Sequence, residues 1–98
     1  MSDVTEPRDP YEIALAPPAR RAIADKLPSD VAIAAVEFIT KALPGSPRRL
    51  GKPLHTPLEG DWSARLMRDW RVLHEIDDNK YEILVMDIRH RSDAYRRR

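Results

Sequence analysis

Three runs of alternating apolar and polar residues fill most of the second half of this 98-residue chain. They cover residues 61 to 67, 70 to 76 and 81 to 88, and short turn-forming stretches separate them. Successive side chains of a strand point to opposite faces of a sheet, so this period of two predicts a three-stranded antiparallel meander. The third run is apolar on both faces from 83 to 88, which is typical of a central strand.

The first half of the chain begins with a short predicted strand over residues 11 to 15, where apolar and other residues alternate. Pro17 and Pro18 end this strand, and they suit the first turn of a helix, which needs no N–H donor at that position. A first helix is therefore expected over about 19 to 27, and Pro28 ends it.

A second helix is expected from about 30 to 42, with Ser29 and Asp30 as its N-terminal capping residues. Its buried stripe is predicted at Val31, Ala35, Phe38 and Ala42. The predicted order is β-α-α-β-β-β. The fold class is therefore α+β: a small, mainly antiparallel sheet with two N-terminal helices packed on one face.

The length and composition predict one domain with a thin core, because a chain of this size removes only about 60 to 65% of its unfolded surface from water. Residues 1 to 10 are polar and contain two prolines, so they are expected to be disordered, and the domain is expected to span 11 to 98. The segment lacks the features of a signal peptide, and no apolar run approaches the roughly 20 residues of a membrane span. A cytoplasmic protein without membrane association is predicted.

The chain contains no cysteine, which excludes disulfides and thiolate metal sites. Its three histidines lack the paired spacing of a metal centre, so neither a metal nor another cofactor is predicted. Positive charge is concentrated at the C-terminal end: residues 88 to 98 carry five arginines against one aspartate. This asymmetry favours an anionic partner, most commonly phosphate, and the alternative is a solvated tail.

Strand register predicts that arginines meet on one face of the sheet. Pairing apolar residues across the first two strands of the meander places Leu66 opposite Trp70 and therefore Arg65 opposite Arg71. Two like charges in direct opposition weaken a sheet by a few tenths to about 1 kcal/mol. An anion bound between them would remove this repulsion. The alternative for each arginine is a surface salt bridge, for which the candidate partners are Asp69, Asp87 and Asp93.

The second hairpin of the meander brings further arginines to the same face. The favoured register pairs Trp70 with Ile88, places Asp87 opposite the second arginine of that pair, and directs Arg89 and Arg91 to the same face. A shift of one residue would send Arg89 to the helix side instead, where its charge would be buried without water or a partner.

Short motifs along the chain resemble the RelE branch of the RelE/ParE superfamily of bacterial toxins. These motifs are GKPL at 51 to 54, LEG at 58 to 60, SAR at 63 to 65, WRVLHEID at 70 to 77 and IRHRSDAYR at 88 to 96. The resemblance covers about residues 11 to 97, and its most specific part is the final Arg-His-Arg-Ser-x-x-Tyr-Arg. It implies the fold derived above and a ribosome-dependent, metal-independent endoribonuclease that cuts mRNA in the decoding site.

The resemblance also implies which side chains carry cleavage. The basic residues of the sheet face and the C-terminal tyrosine correspond to Arg65, Arg71, Arg89 and Tyr95. Family members commonly have lysines near Ser63 and Arg65, so a positive charge is either lost here or supplied by Lys52 or Arg68. The wider RNA-binding surface is expected to comprise Lys52, His55, Arg68, His90, Arg91 and Arg96.

Cleavage through the RNA 2′-hydroxyl needs a base, an acid and cations around the phosphate, and arginine supplies only the cations. Tyr95 is the candidate acid, since its arginine neighbours favour release of its proton; stacking on an RNA base and packing under a C-terminal turn are the alternatives. Glu59, His55 and His90 remain open as the base. His90 alternatively makes a structural hydrogen bond, and His74 is predicted to be a core histidine.

Two other functions are considered: a ParE-like inhibitor of DNA gyrase without catalysis, and a non-catalytic RNA-binding module. Tyr95 followed by Arg96 favours the nuclease, because ParE-like chains usually lack this pair. The implied partners are the ribosome, mRNA and a cognate RelB-like antitoxin, with two copies of each chain expected in a heterotetramer. An exposed edge strand at 11 to 16 and a basic face would suit an added strand or an acidic segment of that antitoxin.

Overall fold

The computed structural model describes residues 11–47, 49–53 and 61–94. The predicted disorder of residues 1 to 10 lies outside this range. The strands are β1 (Glu12–Leu15), β2 (Gly51–Pro53), β3 (Asp61–Leu66), β4 (Trp70–Asp77) and β5 (Glu82–His90). The helices are α1 (Pro17–Arg21), α2 (Ser29–Glu37) and α3 (Arg91–Ala94). Wider π-helical turns extend α1 over Ala22–Lys26 and α2 over Phe38–Ala42, and a 3-10 turn follows at Leu43–Gly45.

The five strands form one sheet in the order β1-β5-β4-β3-β2. β1 runs parallel to β5, and the other neighbouring strands are antiparallel. Between β1 and the rest of the sheet the chain passes through α1 and α2, whose apolar residues pack on one face of the strands. The predicted α+β architecture with two helices on one face is confirmed. Among the described residues, no helix has the length and apolar character needed to cross a membrane.

β2 was not predicted, because its sequence Gly-Lys-Pro is typical of a loop. It pairs with β3 at the edge of the sheet, with Gly51 opposite Ala64. A β-carbon at Gly51 would lie 3.2 Å from the Ser63 carbonyl oxygen and 3.4 Å from Cε1 of His74, so the glycine permits this close approach. Pro53 is tolerated because an edge strand can leave one side of its backbone unpaired.

The core is formed between the helices and the covered face of the sheet. The buried apolar residues of this core are, in the helical half, Ala19, Ala22, Val31, Ala35, Ile39 and Leu43, and, on the covered face of the sheet, Ala64, Leu66, Val72, Ile83, Val85 and Ile88. Leu73 is also buried but lies on the opposite face. Removing a side chain such as valine or leucine from water contributes roughly 1.5–3 kcal/mol. The alternate residues of these strands therefore lie on the other face, which we call the open face.

The predicted stripe of the second helix is wrong at Ala42. Ala42 is exposed, Phe38 is half-buried and packs against the core, and Ile39 and Leu43 are buried. The prediction assumed α-helical geometry throughout, but the π-helical turn needs more residues per turn. The wider turn keeps a repeat of four residues, from Val31 to Leu43, on the side that faces the sheet.

The start of α2 also differs from the prediction. Pro28 is the N-cap, and no side chain makes the capping hydrogen bond. Ser29 and Asp30 lie in the first turn instead, where the Asp30 carboxylate accepts a hydrogen bond from the Val31 N–H at 2.9 Å. A negative charge in the first turn still stabilises the helix through its dipole.

Candidate functional site

The predicted register between β3 and β4 is confirmed. Leu66 lies opposite Trp70, Ala64 opposite Val72 and Arg65 opposite Arg71. The apolar residues face the helices, so the two arginines lie side by side on the open face. In this short hairpin, apolar residues alternate with polar ones on both strands, so only one register places all of the apolar residues on the face covered by the helices.

The register between β4 and β5 differs from the favoured prediction. Arg71 lies opposite Arg89, Trp70 lies opposite His90, and Leu73, not Arg71, lies opposite Asp87. The prediction assumed an uninterrupted ladder, but the register shifts between Leu73 and His74 as in a β-bulge. Arg89 nevertheless faces the same side as Arg65, as predicted, because a displacement of two residues preserves the face.

Arg65, Arg71 and Arg89 therefore form a continuous row across β3, β4 and β5, which we call the arginine row. Side chains directly opposed in a sheet have β-carbons about 4.5–5.5 Å apart, so the three arginine side chains begin at neighbouring positions on one face. The repulsion destabilises the sheet by roughly 0.2–1 kcal/mol per pair. The row therefore has the geometry of a site for an anion.

Protein acceptors hold two of the three guanidinium groups. Nη1 of Arg71 donates to the Trp70 carbonyl oxygen at 2.9 Å and to the Arg68 carbonyl oxygen at 3.3 Å. Nε of Arg89 donates to Oδ2 of Asp87 at 2.7 Å. Within the described residues, no hydrogen bond or ion pair holds Arg65, which is exposed.

The Asp87 contact orients Arg89. Oδ1 of Asp87 accepts the Ile88 N–H at 2.8 Å, so backbone and side chain together position this carboxylate. It binds Arg89 through Nε, the nitrogen farthest from the end of the side chain. The terminal nitrogens of Arg89 have no hydrogen bond to another described residue, so they remain available to an anion on the open face.

The turn between β3 and β4 organises this end of the sheet. It comprises Met67, Arg68 and Asp69, one residue more than the predicted Arg68-Asp69 turn. Met67 has a φ of 58°, in the left-handed region, which costs a non-glycine residue about 1–2 kcal/mol. Two carbonyl oxygens of this turn accept hydrogen bonds. The Arg68 oxygen accepts one from Nη1 of Arg71, and the Asp69 oxygen accepts one from the backbone N–H of Arg91 at 2.6 Å.

The prediction that Arg91 continues the strand alternation is wrong. β5 ends at His90, and Arg91 is the first residue of α3. The hydrogen bond from Arg91 N–H to Asp69 turns the chain away from the sheet. Arg91 is exposed at this corner, beside the turn that contains the exposed Arg68.

The structure also places Lys52 on the open face. Lys52 is exposed and lies on β2 opposite Ser63. Ser63 is two residues before Arg65 in β3, so all three residues share this face. This position suits the proposal that Lys52 supplies the charge that Ser63 lacks. His55, Glu59, Tyr95 and Arg96 lie outside the described residues, so their predicted roles stay predictions.

His74 is a core histidine, as predicted, and is completely buried. Its Nδ1 lies 3.1 Å from the Val72 carbonyl oxygen, while Nε2 has no hydrogen-bond partner among the described residues. Burial lowers the pKa of His74 below its ordinary value of 6.5, and the nearby Val72 and Pro47 carbonyls only partly oppose this shift. His74 is therefore neutral at pH 7.

Because His74 is buried, we expect the free energy of unfolding to fall in mild acid. Its folded-state pKa is lowered, so below about pH 6.5 the unfolded chain binds a proton that the folded chain does not. The free energy of unfolding should therefore fall as the pH decreases below 6.5, by at most about 1.4 kcal/mol per pH unit. Urea denaturation between pH 7.5 and 5.5 measures this slope. An equally steep slope in His74→Gln would contradict the assignment to His74.

Comparisons with known proteins identify relatives that match most of this chain. The chain is 42% identical over 87 residues to toxin RelE of Mycobacterium tuberculosis, covering 89% of this chain and 88% of the relative. It is 40% identical over 88 residues to toxin RelG of the same organism, covering 90% and 99%. The chain belongs to the RelE family of toxins. No protein-family model matches it.

Solved structures support the RelE assignment. The RelBE2 toxin–antitoxin complex of M. tuberculosis contains a chain that is 37% identical, with a TM-score of 0.77, over 85% of this chain and all of that one. The toxin–antitoxin complex RelBE of E. coli matches at 16% identity with a TM-score of 0.63 over 80% and 93%, which shows the fold alone. The predicted resemblance is confirmed: the chain is a RelE-type toxin of a type II toxin–antitoxin system.

The sequence indicated two of the contacts that build the site only in kind. It favours Asp87 as a candidate ion-pair partner of the arginines and allows a structural hydrogen bond for His90, but it did not specify that Asp87 binds Arg89 or that His90 binds Ser92. Both contacts join residues two positions apart, so the pairs Asp-x-Arg and His-x-Ser are the signals that could have specified them. The carbonyl acceptors of Arg71 were missed. The carbonyl contacts leave no such signal, because any residue type supplies a backbone oxygen.

Proposed function

We propose that this toxin is a metal-independent endoribonuclease that cleaves mRNA in the decoding site of the ribosome. The observation that carries the proposal is the arginine row. A phosphodiester is an anion with two unbridged oxygens, and the planar guanidinium fork binds such oxygens in pairs. A row of three forks on the open face, with Arg65 exposed and Arg71 and Arg89 half-buried, suits a backbone phosphate of a single-stranded message.

The arginine row would act mainly on the transition state. When the 2′-hydroxyl attacks the neighbouring phosphorus, negative charge accumulates on the phosphate oxygens before the 5′-oxygen leaves. Donors that are already fixed in place stabilise this charge without reorganising, and removal of one such donor typically costs 10²- to 10³-fold in rate. Arg71 and Arg89 are held in place by protein acceptors, which supports this role for both.

Proton transfer must come from other side chains, because arginine stays protonated at any working pH. We propose Tyr95 as the acid that protonates the leaving 5′-oxygen, and we keep His55 and Glu59 as candidates for the base. His90 is set aside as a base, because its Nδ1 accepts a hydrogen bond from the Ser92 N–H at 3.2 Å. Lys52, Arg68, Arg91 and Arg96 would bind flanking phosphates. These contacts would contribute affinity that falls with salt concentration, as phosphate contacts do.

A cognate RelB-like antitoxin is the proposed inhibitor. The relatives in the two cited crystal structures are complexes of a toxin with an antitoxin. In this chain β1 lies at an edge of the sheet, where an additional strand can pair, and the arginine row would attract an acidic segment. Such binding in a heterotetramer would cover the cations that mRNA needs. Action on ribosomes implies that the toxin works in the cytoplasm.

Primer extension on translated mRNA after brief expression of the toxin tests the proposal. Breaks inside codons that appear only on translated messages are expected. Intact mRNA together with broken chromosomal DNA would contradict the nuclease and favour a gyrase inhibitor. RNA binding without any new mRNA ends would favour the non-catalytic RNA-binding module.

Asp87→Ala is predicted to separate substrate binding from chemistry. The substitution removes a negative charge beside Arg89, which should leave KM unchanged or lower it, because more positive charge faces the phosphates. It also removes the acceptor that orients Arg89, so kcat should fall about tenfold. Steady-state cleavage of mRNA on purified ribosomes measures both constants.

Two variants control for charge in the Asp87 experiment. Asp87→Asn retains an oxygen acceptor and should keep most of kcat. Glu75→Ala removes an exposed carboxylate from the same face, on the β4 residue opposite Asp61 and away from the arginine row, and should leave kcat unchanged. An unchanged kcat in Asp87→Ala would show that the ion pair does not position Arg89 for cleavage.

A further inference from the structure

We propose that His90 is a positioning residue, which caps α3 and thereby fixes the direction in which the chain continues to Tyr95. This inference rests on the proposed function, since it concerns delivery of the candidate acid. The His90 ring would act through hydrogen bonds to the backbone of α3 and without contact to RNA.

The hydrogen bonds around His90 define the state of its ring. The backbone N–H of Ser92 donates to Nδ1 of His90 at 3.2 Å, and Oγ of Ser92 lies 3.0 Å from the same nitrogen. A backbone amide always carries its hydrogen, so Nδ1 must offer a lone pair. In the neutral ring the proton therefore resides on Nε2, and Nδ1 is not available to take a proton from substrate while it binds Ser92.

This arrangement is that of a helix N-cap. His90 is the residue before α3, and Ser92 is the second residue of the helix, whose N–H has no partner inside the helix. Asparagine, aspartate, serine and threonine usually supply the acceptor at such a position. Here the imidazole nitrogen replaces the side-chain oxygen, which explains why the sequence did not indicate a cap.

A second hydrogen bond completes the attachment of α3. The first amide of the helix, that of Arg91, donates to the Asp69 carbonyl at 2.6 Å. The His90 ring is itself oriented by Trp70, against which it packs edge-on with ring centroids 5.3 Å apart and an angle of 83°. The first two amides of α3 are therefore tied to the same corner of the sheet that holds Arg71.

The shortness of α3 makes the cap important. A helix of four residues is not stable without external contacts, because formation of the first turn costs more than its hydrogen bonds return. Loss of an N-cap acceptor typically lowers the ratio of formed to frayed helix about fivefold. Tyr95 directly follows α3 in the sequence, so fraying would lower the fraction of molecules with the candidate acid in place by a similar factor.

The test compares His90→Phe with His90→Asn in the full-length toxin. Phenylalanine retains a ring that can pack against Trp70 but lacks the acceptor, whereas Oδ1 of asparagine lies at nearly the same position as Nδ1 of histidine. Amide hydrogen exchange of residues 91 to 94 reports on α3 independently of activity. Cleavage on purified ribosomes gives kcat and KM, and thermal denaturation establishes that each variant is folded.

We expect His90→Phe to lower the protection of the α3 amides and kcat by about fivefold each, with KM unchanged. His90→Asn should retain protection and most of kcat, which a purely structural need for the imidazole ring would not allow. Full protection in His90→Phe, or equal losses in both variants, would overturn the cap. Loss of protection with unchanged kcat would overturn the positioning role. Absence of cleavage by the wild-type toxin would refute the nuclease, and hydrogen exchange would still decide the cap.

Discussion

Replacement of Arg71 or Arg89 with alanine is expected to lower ribosome-dependent mRNA cleavage by about 10²- to 10³-fold while the protein stays folded. Each of these arginines is held by a protein acceptor and lies in the middle or at the end of the row across three strands. The loss should be in kcat, because the fixed cation matters most when charge develops on the phosphate. Single-turnover cleavage on programmed ribosomes measures it.

The stability of these variants provides an internal check. Removing one of several like charges on one face relieves repulsion worth a few tenths of a kcal/mol. This gain offsets the loss of the contacts that the arginine makes with its protein acceptors, so the free energy of unfolding should change little. Arg21→Ala is a matched control, because Arg21 is an exposed arginine on α1, on the helical side of the molecule. If either row variant cleaves as well as Arg21→Ala, the arginine row is not the cleavage site.

Tyr95→Phe is expected to lower kcat by about 10²- to 10⁴-fold if Tyr95 is the acid, because a well-placed proton donor contributes that much. Phenylalanine retains the aromatic ring, so binding through stacking would persist and KM should change little. Cleavage measured with a saturating concentration of programmed ribosomes isolates the chemical step.

A second variant distinguishes the alternatives for Tyr95. If Tyr95 stacks on an RNA base, Tyr95→Phe should cleave normally and Tyr95→Ala should weaken binding, since stacking contributes roughly 1–3 kcal/mol per base. Normal kcat and KM in both variants would mean that Tyr95 takes no part in cleavage. His90 would then have no catalytic residue to position, although its hydrogen bond to α3 would be unaffected.

The face on which each residue of β3 and β4 lies could be predicted from the sequence, whereas the third run is apolar on both faces and did not reveal that Ile83 and Val85 face the helices. Alternation in β3 and β4 left one register that buries Ala64, Leu66 and Val72, and this register places Arg65 beside Arg71. The prediction held because a shift of one residue would expose the entire apolar set, which is costly. The family resemblance, which rests on short motifs along nearly the whole chain, is also confirmed.

The tertiary structure alone decided how far the strands slide and which atoms orient the arginines. A slide of two residues leaves every side chain on its face, so alternation could not distinguish Arg71 opposite Arg89 from Arg71 opposite Asp87. The irregularity between Leu73 and His74 sets the register in which Arg71 lies opposite Arg89, which completes the arginine row. The acceptors of Arg71 are backbone carbonyls and the cap of α3 is an imidazole nitrogen, and neither follows from residue type, because both depend on where a turn brings the backbone.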